Sequence, residues 1–307
     1  MDEKDIIKKI NHDYLTIINS KEYKLGNIIT NICNGIKVAD IRQISKNLKL
    51  LLQGIRLQKY NMKNQVAGSK QVSNHYCPNG KTAVYTALFG GYDQIYEPVI
   101  KDERCDYFIF TDQNISDISI WKKLELSDSE QSILENLTNT EKNRYFKMLG
   151  YKKFNNYEYS IYLDANLEIY GVLANLAVYA DNPFGLALYS HPARDCIYNE
   201  AKACVILGKA AKKDVETQMK IYQGFGMPTH YGMCECNVIV RKNANEKCFF
   251  LMKEWWKEFE QNSVKRDQLI FPYILWKNQI KINEIGCLGK DIDHDGQFRR
   301  KLHVERN

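Results

Sequence analysis

One stretch constrains the fold more than any other: Tyr159-Ser160-Ile161-Tyr162-Leu163-Asp164-Ala165-Asn166. Tyr159 to Leu163 is an almost continuous apolar run, the pattern of a strand covered on both faces. The run stops at Asp164, and Asn166 follows one residue later. In an open α/β sheet, ligands bind beyond the carboxyl ends of the strands. A carboxylate there can hold a divalent cation that in turn holds a diphosphate. The same three residues also read as a plain turn, because Asp and Asn are favoured turn residues.

The neighbouring chain repeats the pattern. Ala83 to Phe89 reads as a strand that breaks at Gly90-Gly91, where a backbone can pass close to a ligand. Asp106 to Phe110 is a second strand, ending at Thr111-Asp112. Gly185 to Tyr189 is a third, ending in Ser190-His191-Pro192. A helix is expected directly after it, with Ser190 as N-cap and Pro192 in the first turn. Glu235 to Arg241 is a short strand behind a loop over 224–233. Helices are expected over Glu141 to Lys153, Asn245 to Gln261 and Arg266 to Trp276. The stretch 116–139 is polar, and irregular or helical. Strands ending in polar residues, with helices between them, give an α/β fold whose polar groups gather at one sheet edge. The Gly90-Gly91 break is no GxGxxG fingerprint, so a dinucleotide site is not expected.

The net charge of +6 is local. Residues 36–64 hold seven basic side chains against Asp40 alone, while the rest of the chain balances. That argues against a broad nucleic-acid footprint. In the same segment Val38, Ile41, Ile44, Leu48, Leu51, Leu52 and Ile55 recur at helical steps. Such a basic amphipathic helix can lie on an anionic membrane surface, or pack its apolar face on the adjoining domain or a partner subunit. Residues 65–80 read as a linker. The division expected is a helical segment with linker over 1–75 and a main domain over 76–307. The opening Met1-Asp2-Glu3-Lys4-Asp5 does not read as a signal peptide. No apolar run approaches the roughly 18 residues of a membrane-spanning helix. Nine scattered cysteines, with no zinc or redox spacing, fit free thiols in a cytoplasmic protein.

The motifs occur in a telling order. Tyr85-Thr86-Ala87-Leu88-Phe89-Gly90-Gly91-Tyr92-Asp93 comes first, then Arg144 with Lys147, then Ile161 to Asn166. His191-Pro192-Ala193-Arg194-Asp195-Cys196 with Glu200-Ala201 follows, then Asn237 to Arg241, then Arg266-Asp267-Gln268. Over residues 81–290 this set resembles the glycosyltransferase-like domain of plant mucilage-related proteins and bacterial surface-polysaccharide clusters. The resemblance implies a GT-A-like, Rossmann-type mixed sheet flanked by helices, here with an N-terminal helical appendage. It also implies a nucleotide-sugar donor, a glycan or lipid-linked acceptor and a divalent cation, Mn²⁺ or Mg²⁺. Cytoplasmic work on surface polysaccharide or capsule, at the inner face of the membrane, is the setting it suggests.

Site roles follow from placing the chemistry on these positions. A leaving diphosphate needs a cation or basic side chains. Asp164 is the candidate metal anchor, with Asn166 assisting, and the resemblance implies His294 as a further ligand from the tail. Asn166 departs from the commoner Asp-x-Asp and offers only a carbonyl oxygen. Arg144 and Lys147 share a helix face at i, i+3 and can hold the diphosphate or base. Thr86, Phe89, Gly90, Gly91 and Asp112 are assigned to the nucleotide. His191, Arg194 and Asp195 go to the sugar or phosphate side, at an expected helix N-terminus. Asn237 is assigned to the acceptor. Asp267 is the candidate general base or sugar-hydroxyl contact, which makes Asp164 and Asp267 the catalytic pair. Two other readings stay open: a non-catalytic nucleotide-sugar or glycan-binding module, and a membrane-surface scaffold acting through 36–64.

Overall fold

The computed structural model describes residues 80–91 and 93–301, together with residues 26, 27, 29 and 30. The basic segment 36–64, nearly all of the linker and the boundary near residue 76 lie outside the described residues.

The apolar runs form the strands that their composition demands. β1 (Thr82–Leu88) and β4 (Tyr159–Leu163) are buried at every position, and β7 (Cys234–Lys242) at all but its last. β2 is Cys105–Thr111 and β6 is Leu186–Ser190. Two short edge strands, β3 (Lys122–Lys123) and β8 (Gly286–Cys287), complete a seven-stranded sheet in the order β3-β2-β1-β4-β7-β6-β8. β3, β2, β1 and β4 run parallel. β7 is antiparallel to both β4 and β6, while β6 and β8 run parallel. This is the mixed, helix-flanked sheet expected. A separate ribbon pairs β5 (Leu167–Ile169) with β9 (Phe298–Arg300).

Side chains alternate across the sheet, so each strand feeds two cores. Ala83, Tyr85, Ala87 and Tyr162 face one side. There they meet α2 (Asn139–Leu149), α3 (Ile197–Ile206), α4 (Lys212–Gly224), α5 (Glu246–Gln261) and α6 (Asp267–Lys277). Val84, Leu88, Ile161 and Leu163 face the other side, under a 3-10 helix at Ala174–Ala180 and the chain segment carrying Leu288, Ile292 and Phe298. Each fully buried Leu-, Ile- or Phe-sized side chain contributes roughly 1.5–3 kcal/mol. α1 (Asp128–Glu135) lies in the polar stretch before α2 and is closed by a Ser127/Glu130 capping box.

One expected helix start is corrected. Ser190 is the last residue of β6, and α3 begins only at Ile197 with Cys196 as N-cap. The backbone N–H groups of Ala193 and Arg194 donate to His191 Nδ1, at 3.2 and 3.1 Å. The imidazole thereby takes the donors that a first helical turn would have offered to a capping oxygen, and 191–196 stays a loop.

The reversed β7 decides what meets at the edge. Its first residues lie beside the last residues of β4 and β6: Val238 pairs Leu163, and Cys234 pairs Ser190. Asp164 N–H donates to Asn237 O at 2.9 Å. Two segments more than seventy residues apart are thus joined where the parallel strands end.

Candidate active site

Asp164 follows β4 directly. Leu167 N–H donates to Asp164 O at 3.0 Å, closing a tight turn over Ala165-Asn166. The turn reading and the site reading are therefore both realised. Asp164 Oδ1 accepts from Tyr162 OH at 2.9 Å and from Lys147 Nζ at 3.2 Å. Burial, reinforced by the Asp164 charge, pushes the Tyr162 phenol well above its usual range, so it remains a donor.

Lys147 reaches this point because α2 is clamped to the sheet. Phe146 stacks on both Phe89 and Phe110, with ring centroids 5.6 and 4.1 Å apart. From β7, fully buried Arg241 donates to Lys147 O at 2.6 Å and to Tyr85 OH at 3.0 Å. A cation at carbonyls near a helix C-terminus is favourable. Lys147 Nζ also lies 2.6 Å from Asp267 Oδ2, and Arg144 Nε lies 3.2 Å from the same oxygen. The Lys147 and Asp267 side chains are 2% and 5% exposed, whereas Asp164 is 28% exposed. Burial alone would raise the Asp267 carboxyl, but Arg144, Lys147 and Arg266 together hold it well below the usual carboxylate range. Burial likewise works against the Arg144 charge, and Asp267 and Asp164 more than restore it. The outcome is an ionised network with Asp164 as its most exposed member.

The other expected site residues are distributed around this network. Gly90 and Gly91 adopt left-handed φ values of 71° and 58°. Gly90 N–H donates to both Asp112 oxygens, at 3.2 and 2.9 Å, tying the ends of β1 and β2 together. A Cβ on Gly90 would overlap the Asn139 side chain. Thr86 and Phe89 do not reach the surface. Thr86 lies on the face of β1 shared by Val84 and Leu88, opposite α2, and Phe89 belongs to the core. Asn237 stands beside Asp164, 9% exposed, with a buried Oδ1 that has no hydrogen-bond partner among the described residues.

His191 and Arg194 turn inward to Glu200. His191 Nε2 lies 3.3 Å from Glu200 Oε2, and Arg194 Nε donates to the same oxygen. With Nδ1 accepting two backbone bonds, the tautomer assigned to His191 carries its proton on Nε2. Burial alone would raise the Glu200 carboxyl, but His191 and then Arg194 bring it down to about 2. A folded value below the unfolded one adds stability above the unfolded value and loses it as pH falls. From 4.5 to about 2 this contributes roughly 3 kcal/mol. The stability gap between wild type and Glu200→Gln should therefore shrink as pH drops from about 5 toward 2. Denaturant melts across that range would measure it, and a constant gap would contradict the assignment. Asp195 is separate from this trio: it pairs with exposed His230 at 2.7 Å.

The expected metal set does not assemble. Asn166 Nδ2 donates to Lys301 O at 3.3 Å, and His294 Nδ1 lies 2.6 Å from Asp291 Oδ1. Asp164 Oδ1 is already taken by Lys147 and Tyr162. Among the described residues no three His, Cys, Asp or Glu side chains converge as a cation site. A donor set of one carboxylate, itself engaged by an ammonium, does not fit a protein-held divalent cation.

Several charged neighbours have no partner legible in the sequence. Glu200 was visible in its motif but had no assigned partner. Glu235 and Arg300 meet at 3.2 Å only because β9 folds back onto β5, a pairing that no periodicity announces.

A family model, described as TOD1/MUCI70, glycosyltransferase-like domain, matches residues 54–286. The chain belongs to this family. The TOD1/MUCI70 match contains the whole Arg144–Lys147–Asp164–Asp267 network and stops before β9. No curated protein sequence matches the chain. Among solved structures it is similar to the apo-form glycosyltransferase GlyE of Streptococcus pneumoniae TIGR4, with 14% identity over 66% of this chain and 45% of that one, TM-score 0.36. It is also similar to the apo bifunctional glycosyltransferase WbbM (10% identity, 80% and 46% covered, TM-score 0.39). A third is the apo form of mouse xyloside xylosyltransferase 1 (8%, 67% and 83%, TM-score 0.37). The chain spans about half the length of the first two. Among the described residues no helix is long and apolar enough to cross a membrane.

Proposed function

We propose that this member of the TOD1/MUCI70 family is a glycosyltransferase that takes a nucleotide-sugar donor at the carboxyl edge of β1 and β4. The observation that carries the reading is the shared ion network of Arg144, Lys147, Asp164 and Asp267. An ammonium has three donors, and Lys147 commits two of them to the carboxylates of Asp164 and Asp267. The third is left for a phosphate oxygen. Arg144 engages Asp267 through Nε and Asn143 through Nη1, which leaves further guanidinium donors. As the glycosidic bond breaks, charge grows on the departing diphosphate, and two cations preorganised by Asp267 stabilise it. The residues do not fit a resident metal.

Asp267 is assigned a positioning role. A buried carboxylate held ionised by two cations is a poor proton acceptor, but it fixes where both cations point. Asp164 is the exposed carboxylate, and its Oδ2 is assigned to hydroxyls of the transferred sugar. Asn237, adjacent and with an unpartnered Oδ1, is assigned to the acceptor. The acceptor proposed is a glycan or lipid-linked sugar, in bacterial surface polysaccharide synthesis, with 76–307 as the transferring unit.

A panel of nucleotide sugars tests the reading, scored by thermal protection and by release of nucleoside diphosphate. At least one member should protect the protein and be turned over. Protection without turnover, with every acceptor tried, would favour the binding-module reading. Protection by none would overturn both.

A further inference from the structure

The turn that carries Asp164 is tied to the chain on both sides. On one side, Asp164 N–H donates to Asn237 O at 2.9 Å, near the start of β7. On the other stands the ribbon of β5 and β9, in which Leu167 pairs Arg300, Glu168 pairs Arg299 and Ile169 pairs Phe298. Opposite residues in an antiparallel ladder alternate between pairs that exchange two hydrogen bonds and pairs that exchange none. One step beyond the ribbon, at either end, the alternation calls for a bonded pair. At the far end Tyr170 N–H donates to Gln297 O at 2.7 Å. At the near end Lys301 N–H donates to Asn166 O at 2.8 Å. The return bond there comes from a side chain: Asn166 Nδ2 donates to Lys301 O at 3.3 Å. A carbonyl oxygen only accepts, so the atom that meets it is assigned as the amide nitrogen.

A ribbon of two three-residue strands is not stable alone, so its ties matter. Arg300 holds β9 to the start of β7 through Glu235 at 3.2 Å, and Asp293 adds a second carboxylate at 3.4 Å. Lys301 Nζ reaches Glu168 Oε2 at 2.6 Å, across the ladder. These pairs secure β9, and the two bonds of Asn166 join it to the turn. Asp164 opens that same turn, which Leu167 N–H closes on Asp164 O. Where residue 166 is held therefore fixes the backbone from which the Asp164 carboxylate projects.

We infer that Asn166 is a positioning residue, a latch whose carboxamide takes β9 and so sets where the Asp164 carboxylate points. β9 lies beyond the stretch that the family model matches. The role rests on the donor-site reading, in which Asp164 meets the transferred sugar. It also gives the departure from Asp-x-Asp a physical reason. A carboxylate at 166 has no proton to donate and would face the Lys301 carbonyl oxygen. It would strengthen a cation site and break the ladder. Latch and metal ligand therefore predict opposite effects for one isosteric change, Asn166→Asp.

Wild type, Asn166→Asp, Asn166→Ala and Asn166→Gln should be compared in two assays. Amide hydrogen exchange at Leu167, Tyr170 and Lys301 reads the turn and the ribbon with no substrate present. In Asn166→Asp and Asn166→Ala these amides should exchange about fivefold faster or more, the size expected for one hydrogen bond at a ribbon end, with β1 and β4 unchanged. Asn166→Gln keeps a donor and should lie closer to wild type than Asn166→Asp; the reverse order overturns the latch. In the second assay, on a nucleotide sugar that is turned over, kcat of Asn166→Asp should fall about tenfold or more. Affinity for the nucleoside diphosphate should stay within about twofold, because Asp164 faces the sugar, and added Mn²⁺ should not restore kcat. Wild-type exchange rates in Asn166→Asp overturn the latch, as does a kept or raised kcat with tighter Mn²⁺ binding. Faster exchange with unchanged kcat overturns the positioning role. If wild type turns over no nucleotide sugar, the donor-site reading fails by itself, and exchange at Leu167 still decides whether Asn166 holds the turn.

Discussion

Replacing Asp267 with asparagine is expected to lower the thermal midpoint of the domain by roughly 6–20 °C. The substitution keeps the shape of the side chain and removes only its charge. Arg144 and Lys147 would then face each other across a neutral amide, with Lys147 itself only 2% exposed. Taking one partner from a buried ion pair costs about 3–5 kcal/mol, because the charge left behind cannot be rehydrated. Each kilocalorie shifts the midpoint by about 2–4 °C in a domain of this size. Scanning calorimetry on wild type, Asp267→Asn, Lys147→Met and the double variant would measure the coupling. The double variant should recover much of the loss, since it removes a cation together with the anion. A single-variant shift under 2 °C would mean that the pairs are open to water, and the positioning role assigned to Asp267 would fall with them.

The second large effect is expected at Asp164, and it separates two chemistries. Asp164→Ala should cut the turnover of whichever nucleotide sugar is the substrate by about two to three orders of magnitude, as does loss of a single preorganised polar group in other active sites. The fold should be almost unaffected, because this carboxylate is the exposed end of the network. Affinity for the nucleoside diphosphate should hold or rise, since the variant frees Lys147 from one of its two anions. Chelation with EDTA should leave that affinity unchanged. A metal-anchor role gives the opposite result on both counts: weaker nucleotide binding in Asp164→Ala, and loss of binding in EDTA. Titration calorimetry alongside a turnover assay distinguishes them.

Legibility in the sequence followed burial. β4 spans the apolar run Tyr159–Leu163, and α5 begins after its Asn245 cap, because two-sided burial and capping are local chemistry. Edge elements left no such trace. β3 is two lysines, and β9 is largely arginine. Helix α4 buries Val215, Gln218, Met219 and Tyr222 on one face, but only three of these are apolar and charged and polar side chains separate them. At the site, Arg144, Lys147, Asp164 and Asp267 converge as their residue types implied. Thr86 and Phe89 were misplaced because a position next to a glycine pair says nothing of which face of β1 a side chain occupies. The fate of His191 was also hidden, since its ring bonds backbone donors that a local reading leaves to Ser190.

The four charged groups of the network come from α2, from the end of β4 and from the start of α6, so they are more than a hundred residues apart at the extremes. Closing that separation carries a chain-entropy cost that only long-range packing offsets. The site therefore cannot mature before α6 has been made and docked. During synthesis, a nascent chain that has completed β4 already contains Lys147 and Asp164 but lacks their anchor. Competence to bind substrate arrives late, as a property of the finished domain, and a product truncated ahead of residue 267 should be inactive however well its first strands have paired.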